Sequence, residues 1–377
     1  MSGAPNATMS SNKFSATDHA MMARALRLAE RGAYTTKPNP LVGCVIAHGG
    51  EIVGEGFHQR AGEPHAEVFA LREAGDRARG ATAYVTLEPC SHSGRTPPCA
   101  QTLIEAGVAR VVAACGDPFE KVAGKGFDAL RAAGVTVEIG LMEAQARAIN
   151  RGFFSRIERG RPWVRVKLAM SLDGHTALAS GESRWISSEA SRLDVQRWRA
   201  RCGALLTASG TVLADNPNLT VRMDDDEAFV TPLRVVLDPG LAIPEDSHIL
   251  DASAPTLLLH APDARVAGYL RARDRASIPS HAGMLDLDAA LRLLATRGIN
   301  EVQTEAGATL CGALLRAGHV DELLLYVVPV LLGARGKPLF GGWDAETMAE
   351  RFDLQMIETR TVGTDLRLLL QPRAVNA

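Results

Sequence analysis

Apolar residues recur near the start of the chain with the spacing of one helical face. Side chains three and four positions apart lie on the same side of an α-helix. Between residues 18 and 31 that face is formed by Met21, Met22, Ala25, Leu26 and Ala29. Thr17 is placed to cap the start and Gly32 to end it. The pattern predicts an amphipathic helix.

The pattern then changes to short apolar runs, which are typical of β-strands. LVGCVIA and EIVGEGF flank His48-Gly49-Gly50, and this arrangement predicts a β-hairpin. The next elements in order are a helix carrying His65 and Glu67, strand ATAYVTL, a helix after Pro97-Pro98, strand ARVVAAC, a helix over 126–133 and strand VTVEI. A hairpin followed by alternating helices and strands predicts an α/β sheet covered by helices.

A second beginning follows at ERGRPWVRVKLAMSLDG, where charged residues, Gly and Pro precede a new strand. We place a linker near residues 156–162, between one α/β domain over 18–158 and another over 159–377. A disordered Ser-, Ala- and Asn-rich tail is predicted over 1–17. The second domain has predicted strands around 163–169, 204–208, 233–237, 256–259, 301–304 and 323–328, helices near 188–201, 287–297 and 309–317, and a closing hairpin at Gly363-Thr364.

Composition narrows the kind of protein. The 377 residues suit two domains, and 46% hydrophobic with 22% charged residues is typical of a folded enzyme. A net charge of -2 supplies no global basic field for nucleic acid, so a small-molecule substrate is expected. Six Cys are too few for a disulfide scaffold, and neither a signal core nor an apolar run of ~20 residues is present. We expect a cytoplasmic protein that does not engage a membrane.

His65, Cys90 and Cys99 predict an open zinc site. One imidazole and two thiolates fill three tetrahedral positions and leave the fourth for water. Zinc lowers the pKa of that water toward neutrality, which makes hydroxide available to attack an amidine carbon. Glu67, two residues after His65, suits a proton shuttle from water to the leaving ammonia.

The spacing of the two cysteines leaves alternatives. Zinc deaminases that act on bases carry H-x-E…P-C-x-x-C, but here eight residues separate Cys90 from Cys99. The insertion SHSGRTPP is expected to loop out, with its two prolines starting the helix that presents Cys99. A closed zinc site with His92 as fourth ligand, or simply buried thiols, are the alternatives. We favour the catalytic site because a closed one would not need Glu67.

Several longer motifs resemble a known family. PNPLVGCVI at 38–46, HAE at 65–67 and EPCSHSGRTPPC at 88–99 are similar to the pyrimidine deaminase of riboflavin biosynthesis, in which this long cysteine spacing is usual. KLAMSLDG, SGESRWIS, LTASGTVLADNPNLTVR and TEAGATLCGALL resemble its fused reductase. The resemblance covers nearly the whole chain after the tail, and it implies a bifunctional deaminase-reductase.

The resemblance also implies a substrate and the residues that contact it. The substrate is 2,5-diamino-6-ribosylamino-4(3H)-pyrimidinone 5′-phosphate, deaminated at C2 and then reduced by NADPH to 5-amino-6-ribitylaminouracil 5′-phosphate. Asn39, His58 and Arg95 match deaminase substrate positions, and Asp117 is a further candidate whose alternative role is to cap a turn. An amide can read the pyrimidine edge or a sugar hydroxyl, while Arg95 and His58 suit the phosphate. Phe119 stands where the family commonly has Asn, so one amide contact is lost; either Phe119 stacks on the ring instead, or the site holds its substrate differently.

The residues of the second half carry a weaker signal of their own. No G-x-G-x-x-G or Walker loop is present, but strand NEVQTE runs through Gly307 into helix ATLCGALLRAG, whose free N–H groups suit phosphate. The resemblance implies a dihydrofolate-reductase-like α/β domain. It carries NADPH contacts to Ala169, Trp185, Thr211, Asp215, Gly307, Ala308, Thr309, Leu310, Cys311, Gly312 and Ala313. It carries substrate contacts to Ser183, Arg199, Leu219, Arg222 and Glu305.

Three residues are candidates for the proton that accompanies the hydride: Lys167, Asp215 and Glu305. Arg199 and Arg222 suit a ribose phosphate, because a guanidinium grips phosphate with two hydrogen bonds. Cys44, Cys115, Cys202 and Cys311 have no paired spacing and are expected to be small core residues. The family also implies a homodimer formed through the reductase domain.

Two other functions stay open at this point. A deaminase of nucleic acid would share the zinc residues but would need a basic, aromatic-lined channel, and aromatic content is only 5%. A structural zinc protein would keep the metal and dispense with Glu67 and an open fourth position.

Overall fold

The computed structural model describes residues 13–91, 98–119, 123–223 and 227–373. The chain divides into two compact units, Met1–Arg151 and Gly152–Ala377. Within the described residues, no helix combines the length and the apolar character needed to cross a membrane.

The first unit is a five-stranded sheet with helices packed on it, in the strand order β2-β1-β3-β4-β5. The strands are β1 Gly43–His48, β2 Glu51–Phe57, β3 Thr82–Val85, β4 Arg110–Ala113 and β5 Thr136–Ile139. The helices are α1 Ala16–Glu30, α2 Ala66–Ala74, α3 Cys99–Glu105, α4 Lys125–Ala132 and α5 Glu143–Ile149. Strand β1 is antiparallel to β2 and β3, whereas β3, β4 and β5 are parallel. The predicted hairpin and covered sheet are confirmed.

Helix α1 begins earlier than its apolar spacing indicated. Its N-cap is Ser15, whose hydroxyl accepts from the backbone N–H of Asp18, while Asp18 accepts from the backbone N–H of Ser15 at 2.8 Å. This reciprocal pair satisfies two helix-end donors. The prediction of Thr17 as the cap was therefore wrong, and residues 16 and 17 of the predicted disordered tail lie in the helix.

Two glycines of β2 set how closely α2 approaches the sheet. A Cβ on Gly54 would lie 2.2 Å from the carbonyl oxygen of Ala70, and one on Gly56 would lie 2.3 Å from that of Ala66. Only a bare backbone allows this approach. Because α2 begins directly after His65, the close contact also fixes the position of the zinc-binding motif.

The second unit is built on a nine-stranded sheet in the order β11-β10-β9-β8-β14-β6-β15-β18-β17. Its strands are β6 Trp163–Ser171, β7 His175–Ala177, β8 Ala204–Ala208, β9 Leu233–Leu237, β10 Thr256–His260, β11 Arg275–Ser277, β12 Ser280–His281, β13 Met284–Leu285, β14 Glu301–Thr304, β15 Glu322–Val328, β16 Lys337–Pro338, β17 Leu354–Val362 and β18 Asp365–Pro372. Neighbouring strands from β11 to β15 are parallel, and β18 and β17 close the sheet antiparallel. Strands β12/β13 and β7/β16 form two small separate ladders.

The helices of this unit are α6 Arg151–Arg159, α7 Glu189–Arg201, α8 Ser209–Asp215, α9 Leu287–Thr296 and α10 Ala308–Arg316. Residues 156–159 of the predicted linker are the end of α6, so the linker prediction was wrong in that part. Adjacent residues of the central strands, such as Leu205 and Leu206, belong to apolar clusters on opposite faces. Burial on both faces is typical of a parallel sheet, and its strand ends form the natural place for a ligand cleft.

Candidate active sites

His65, Cys90 and Cys99 come together at one end of the first unit. His65 is the N-cap residue of α2, Cys90 follows β3, and Cys99 is the first residue of α3. Their ligand atoms all lie within 4.8 Å of one another. The Nδ1 atom of His65 is 3.3 Å from Sγ of Cys99 and 3.5 Å from Sγ of Cys90.

These three side chains fit a zinc ion. Two sulfurs and a nitrogen around tetrahedral zinc are expected to lie about 3.5 Å apart, as the His65 contacts are. The Cys99 side chain and the His65 ring stabilise the thiolate of Cys90 and lower its pKa, and the same thiolate raises the pKa of His65. The backbone N–H of Cys99 also points at the Cys90 sulfur, at 3.4 Å. The donor set is therefore ready to hold a cation.

Glu67 lies beside this cluster and is 2% exposed. Burial raises the pKa of its carboxyl, against the opposing attraction of His65. Its Oε2 atom is buried and has no hydrogen-bond partner among the residues that the structure describes. A buried carboxylate oxygen normally has a partner, so this atom is suited to a proton-bearing group of a ligand.

His58 is buried and contacts Asn39. Its side chain is 2% exposed, and burial lowers the pKa of the ring. Its Nδ1 lies 3.1 Å from the carbonyl oxygen of Pro64, which only accepts, so Nδ1 carries the proton and Nε2 accepts from the Asn39 amide at 3.0 Å. Both ring nitrogens are thus engaged. The ring is therefore placed to orient Asn39, and the phosphate contact expected for His58 stays a prediction.

A second loop at the same sheet edge carries Asp117. Its Oδ1 accepts from the backbone N–H of Phe119 at 2.8 Å, which closes a tight turn. The buried Glu88 carboxylate anchors the loop by accepting from backbone N–H groups of Gly124 and Gly126, at 3.0 and 2.9 Å. Phe119 is 38% exposed, so its ring is accessible for stacking. Arg95 and His92 lie outside the described residues.

The second unit contains a cleft next to the start of α10. A cavity of about 470 Å³ is lined by seven of the residues expected to contact NADPH. These are Ala169, Thr211, Asp215, Gly307, Ala308, Thr309 and Leu310. Within the described chain, no atom lies within 4 Å of where a Cβ on Gly210 or Gly307 would project. The bare backbone and the N–H groups of the first turn of α10 therefore fit the phosphates of a dinucleotide.

Four residues expected at the cofactor do not line this cavity. Trp185 is 73% exposed and lines the adjacent cavity. Cys311 and Gly312 are buried on the core side of α10; a Cβ on Gly312 would lie 2.1 Å from the carbonyl oxygen of Gly341. Ala313 follows them along the same helix. The lining of this cavity thus extends over the first turn of α10, and the expected cofactor contacts of Trp185 and residues 311–313 stay predictions. As expected, Cys44, Cys115 and Cys202 are buried core residues.

A larger cavity of about 880 Å³ contains the residues expected to contact the substrate. These are Ser183, Arg199, Leu219, Arg222 and Glu305. The Arg199 guanidinium is committed to Glu305 through two contacts of 2.7 Å, and its Nη1 donates to the carbonyl oxygen of Thr220 at 2.8 Å. Arg222 is exposed, so its guanidinium is the better placed of the two for phosphate.

The pKa values of Glu305 and Lys167 are both lowered, but for different reasons. Burial alone would raise the pKa of Glu305, but Arg199 and Lys167 outweigh it and lower the pKa to about 2. Burial lowers the pKa of Lys167, with Arg199 adding to the effect and Glu305 opposing it. Glu305 therefore stays ionised at neutral pH, and Lys167 is the acid of the pair, with a pKa below its usual value.

Three residues of these sites escaped sequence reasoning. His248 lines the substrate cavity and Lys337 the cofactor cavity. Arg234 is fully buried and its Nη1 donates to the carbonyl oxygen of Asn218, in the loop that carries Asp215 and Leu219. None belongs to a local motif, and their positions depend on pairing between distant segments. Glu88 is a fourth such residue, but it had a local signal, because it is an acidic residue two positions before the zinc ligand Cys90.

Two family models match the chain. "Cytidine and deoxycytidylate deaminase zinc-binding region" matches residues 15–115, and "RibD C-terminal domain" matches residues 162–368. Riboflavin biosynthesis protein RibD of Escherichia coli strain K12 is 48% identical over 94% of this chain and 99% of its own length. Riboflavin biosynthesis protein RibD of Haemophilus influenzae is 45% identical over 96% of this chain and 100% of its own length.

Solved structures agree with these matches. Acinetobacter baumannii RibD has a TM-score of 0.88 at 44% identity, covering 95% of this chain and 99% of that one. A Thermotoga maritima diaminohydroxyphosphoribosylaminopyrimidine deaminase/5-amino-6-(5-phosphoribosylamino)uracil reductase has a TM-score of 0.84 at 30% identity, with the same coverage of both chains. The chain therefore belongs to the RibD family of bifunctional riboflavin-biosynthesis enzymes, which join a zinc-dependent deaminase to an NADPH-dependent reductase.

Proposed function

We propose that the first unit deaminates 2,5-diamino-6-ribosylamino-4(3H)-pyrimidinone 5′-phosphate at C2, and that the second reduces its ribosyl chain. The observation that carries the deaminase assignment is the His65, Cys90 and Cys99 cluster beside Glu67, whose buried Oε2 has no hydrogen-bond partner among the described residues. The reductase assignment rests on the charged cleft at the start of α10. The Thermotoga maritima protein of similar structure is named as a deaminase and reductase for these same two steps.

In the deaminase site, His65, Cys90 and Cys99 hold zinc. When bound, zinc polarises a water molecule and so makes it a nucleophile near neutral pH. Glu67 accepts a proton at its Oε2 and returns it to the departing C2 amino nitrogen. Asn39, with one N–H committed to His58, presents its Oδ1 and its second N–H to the substrate. Asp117 and Arg95 complete the proposed substrate contacts.

In the reductase site, NADPH supplies the hydride. Lys167 donates the accompanying proton, because its lowered pKa makes the ammonium a better acid. Glu305 holds Arg199 and Lys167 in place and remains ionised. Arg222 grips the ribose phosphate. Asp215 is exposed and lines both cavities, so we assign it to positioning rather than to proton transfer.

We propose a homodimer formed through the edge strand β17. Leu354, Met356 and Ile357 on this strand are 37%, 50% and 45% exposed, which is unusual for apolar residues at a sheet edge. Measurement of molar mass by light scattering should give a dimer, and Met356→Glu should shift it toward the monomer. We also propose a cytoplasmic location, since none of the six cysteines, all of them in the described part of the chain, forms a disulfide.

One coupled assay tests the proposed function. With the diaminopyrimidine ribotide, the enzyme should release one ammonia and oxidise one NADPH per substrate. Ammonia release without NADPH oxidation would refute the reductase assignment. We propose that nucleic acid is not a substrate, so single-stranded RNA should release no ammonia. Salt-dependent binding of that RNA would instead favour a nucleic-acid deaminase.

A further inference from the structure

Lys337 enters the cofactor cavity from a segment distant in sequence from every motif. It lies in β16, which pairs with β7 so that Lys337 is opposite Ala177. The hydroxyl of Thr176 donates to the carbonyl oxygen of Lys337 at 3.3 Å, which fixes the backbone there. The residue's placement therefore comes from a small ladder outside the main sheet.

The ammonium group of Lys337 lies over Gly181. A Cβ on Gly181, whose φ is +95°, would be 3.0 Å from the Nζ atom. Both residues line the same cavity as the first turn of α10. Because Gly181 has no side chain, the Lys337 ammonium has room to lie next to it in the lining of the cofactor cavity.

The charges of this cavity leave Lys337 as the cation with no acidic partner. The lining carries three cations, Lys167, Arg199 and Lys337, and two carboxylates, Asp215 and Glu305. Arg199 is bound to Glu305, and Glu305 also attracts Lys167. Within the described residues, neither a hydrogen bond nor an ion pair of the Lys337 ammonium is found. An exposed cation that lines the same cavity as the N–H groups of a helix start favours the binding of an anion there.

We propose that Lys337 is a cofactor-binding residue that contacts a phosphate group of NADPH. The inference rests on the proposed function, because it takes this cavity as the cofactor site. It assigns the contact to phosphate, since Lys337 lines the cofactor cavity together with Gly307–Leu310 and the larger substrate cavity does not include it. Two phosphate sources belong to the same ligand: the pyrophosphate, and the adenosine 2′-phosphate that distinguishes NADPH from NADH.

Calorimetric titration of NADPH and NADH into the full-length enzyme tests this contact. Lys337→Gln should raise the Kd for NADPH by about three- to tenfold, and Lys337→Arg should restore most of the affinity. Raising the salt concentration should weaken NADPH binding to the parent more than to Lys337→Gln, because ions screen an exposed charge. Arg335→Gln is the matched control, since Arg335 is exposed two residues away and does not line the cavity.

The two cofactors identify the phosphate. Weaker binding of NADPH alone would assign Lys337 to the 2′-phosphate, and equal weakening of both would assign it to the pyrophosphate. Unchanged Kd values for both cofactors in Lys337→Gln, with normal binding by the parent, would overturn the proposal. A parent enzyme that binds neither cofactor would instead refute the proposed function. Circular dichroism of each variant establishes that it is folded.

Discussion

Glu67 combines deep burial with an oxygen that has no partner among the described residues. Gln keeps the size and hydrogen-bonding capacity of the side chain but cannot carry a proton. Glu67→Gln should therefore retain zinc while the deamination rate falls by roughly 10²–10⁴-fold. Metal analysis and ammonia release measure the two outcomes. Glu63→Gln, an exposed residue two positions before His65, should change neither. Retention of more than a tenth of the activity by Glu67→Gln would refute the shuttle.

Asp18 ties α1 to the sheet of the first unit. Its Oδ1 accepts from Arg110 at 2.6 Å and from the hydroxyl of Tyr84 at 2.8 Å. Burial by itself would raise the pKa of Asp18, but these bonds and the one from Ser15 hold it well below its usual range. Burial and the hydrogen bond to Asp18 raise the pKa of Tyr84 to about 12.

The lowered pKa of Asp18 makes the stability of this unit depend on pH. A carboxyl whose pKa is lower in the folded state stabilises above its unfolded pKa of 3.8, and this contribution is lost as pH falls through the folded pKa. Asp18→Asn should cost about 1–3 kcal/mol at neutral pH and flatten the decline below about pH 4. Hydrogen exchange of α1 and β3 between pH 3 and 7 measures both. Asp128→Asn, whose partner Arg131 is exposed, should have little effect. An unchanged acid dependence in Asp18→Asn would contradict this account.

The elements show how far periodicity predicts a fold. Apolar runs identified β1, β2, β8, β9 and β14, because a strand buried in a sheet carries a local signal. The cap of α1 and the extent of α6 were missed, since they depend on a capping box and on packing of a charged helix. The zinc cluster was predicted as a group from the HAE and EPCSHSGRTPPC motifs, and the structure brings its three ligand atoms within 4.8 Å of one another. The burial of His58 and its bond to Asn39 had no local signal, because they depend on tertiary packing.

The loop after α8 is the element that most needs support from elsewhere. Asn216 and Leu219 both have positive φ values, 42° and 46°, which cost energy for residues other than glycine. His248 stabilises this conformation: its ring Nδ1 donates to the carbonyl oxygen of Asn216 at 3.0 Å, and its backbone N–H donates to the Asn216 side chain at 2.8 Å. Arg234 donates to the carbonyl oxygen of Asn218 at 3.1 Å. The loop is therefore shaped before ligand binds.

Removing the ring donor should loosen this loop without unfolding the unit, since His248 is exposed. His248→Phe should raise the KM of the reduction for the ribotide by about three- to tenfold, the range for one lost hydrogen bond. His248→Asn supplies an amide N–H in place of Nδ1 and should restore the KM. His281→Phe, an exposed histidine in β12, is the control. A KM for His248→Phe equal to that of the parent would show that the loop holds its shape unaided.

At the scale of the whole molecule, each unit carries its own core and its own set of site residues. Units with separate cores fold as separate domains, so loss of one activity should leave the other intact. Cys99→Ser should lose zinc and ammonia release. The reduction of substrate that has already been deaminated should persist in this variant.

A substitution in the substrate cavity of the second unit should impair reduction and leave deamination intact. Arg222→Ala removes a charge-assisted hydrogen bond to the ribose phosphate, which contributes roughly 1.5–3 kcal/mol of binding free energy. The KM for reduction should rise by the corresponding factor. The Kd for NADPH should change little, since Arg222 lines the substrate cavity and not the cofactor cavity. Arg360→Ala is the control, because Arg360 and Arg222 line a neighbouring cavity together, whereas Arg360 does not line the substrate cavity.

Asp215→Ala should instead weaken NADPH binding or slow reduction. Ammonia release should be unchanged in all three variants. If Arg222→Ala and Asp215→Ala slowed deamination as much as reduction, a single shared active site would have to replace the two separate ones.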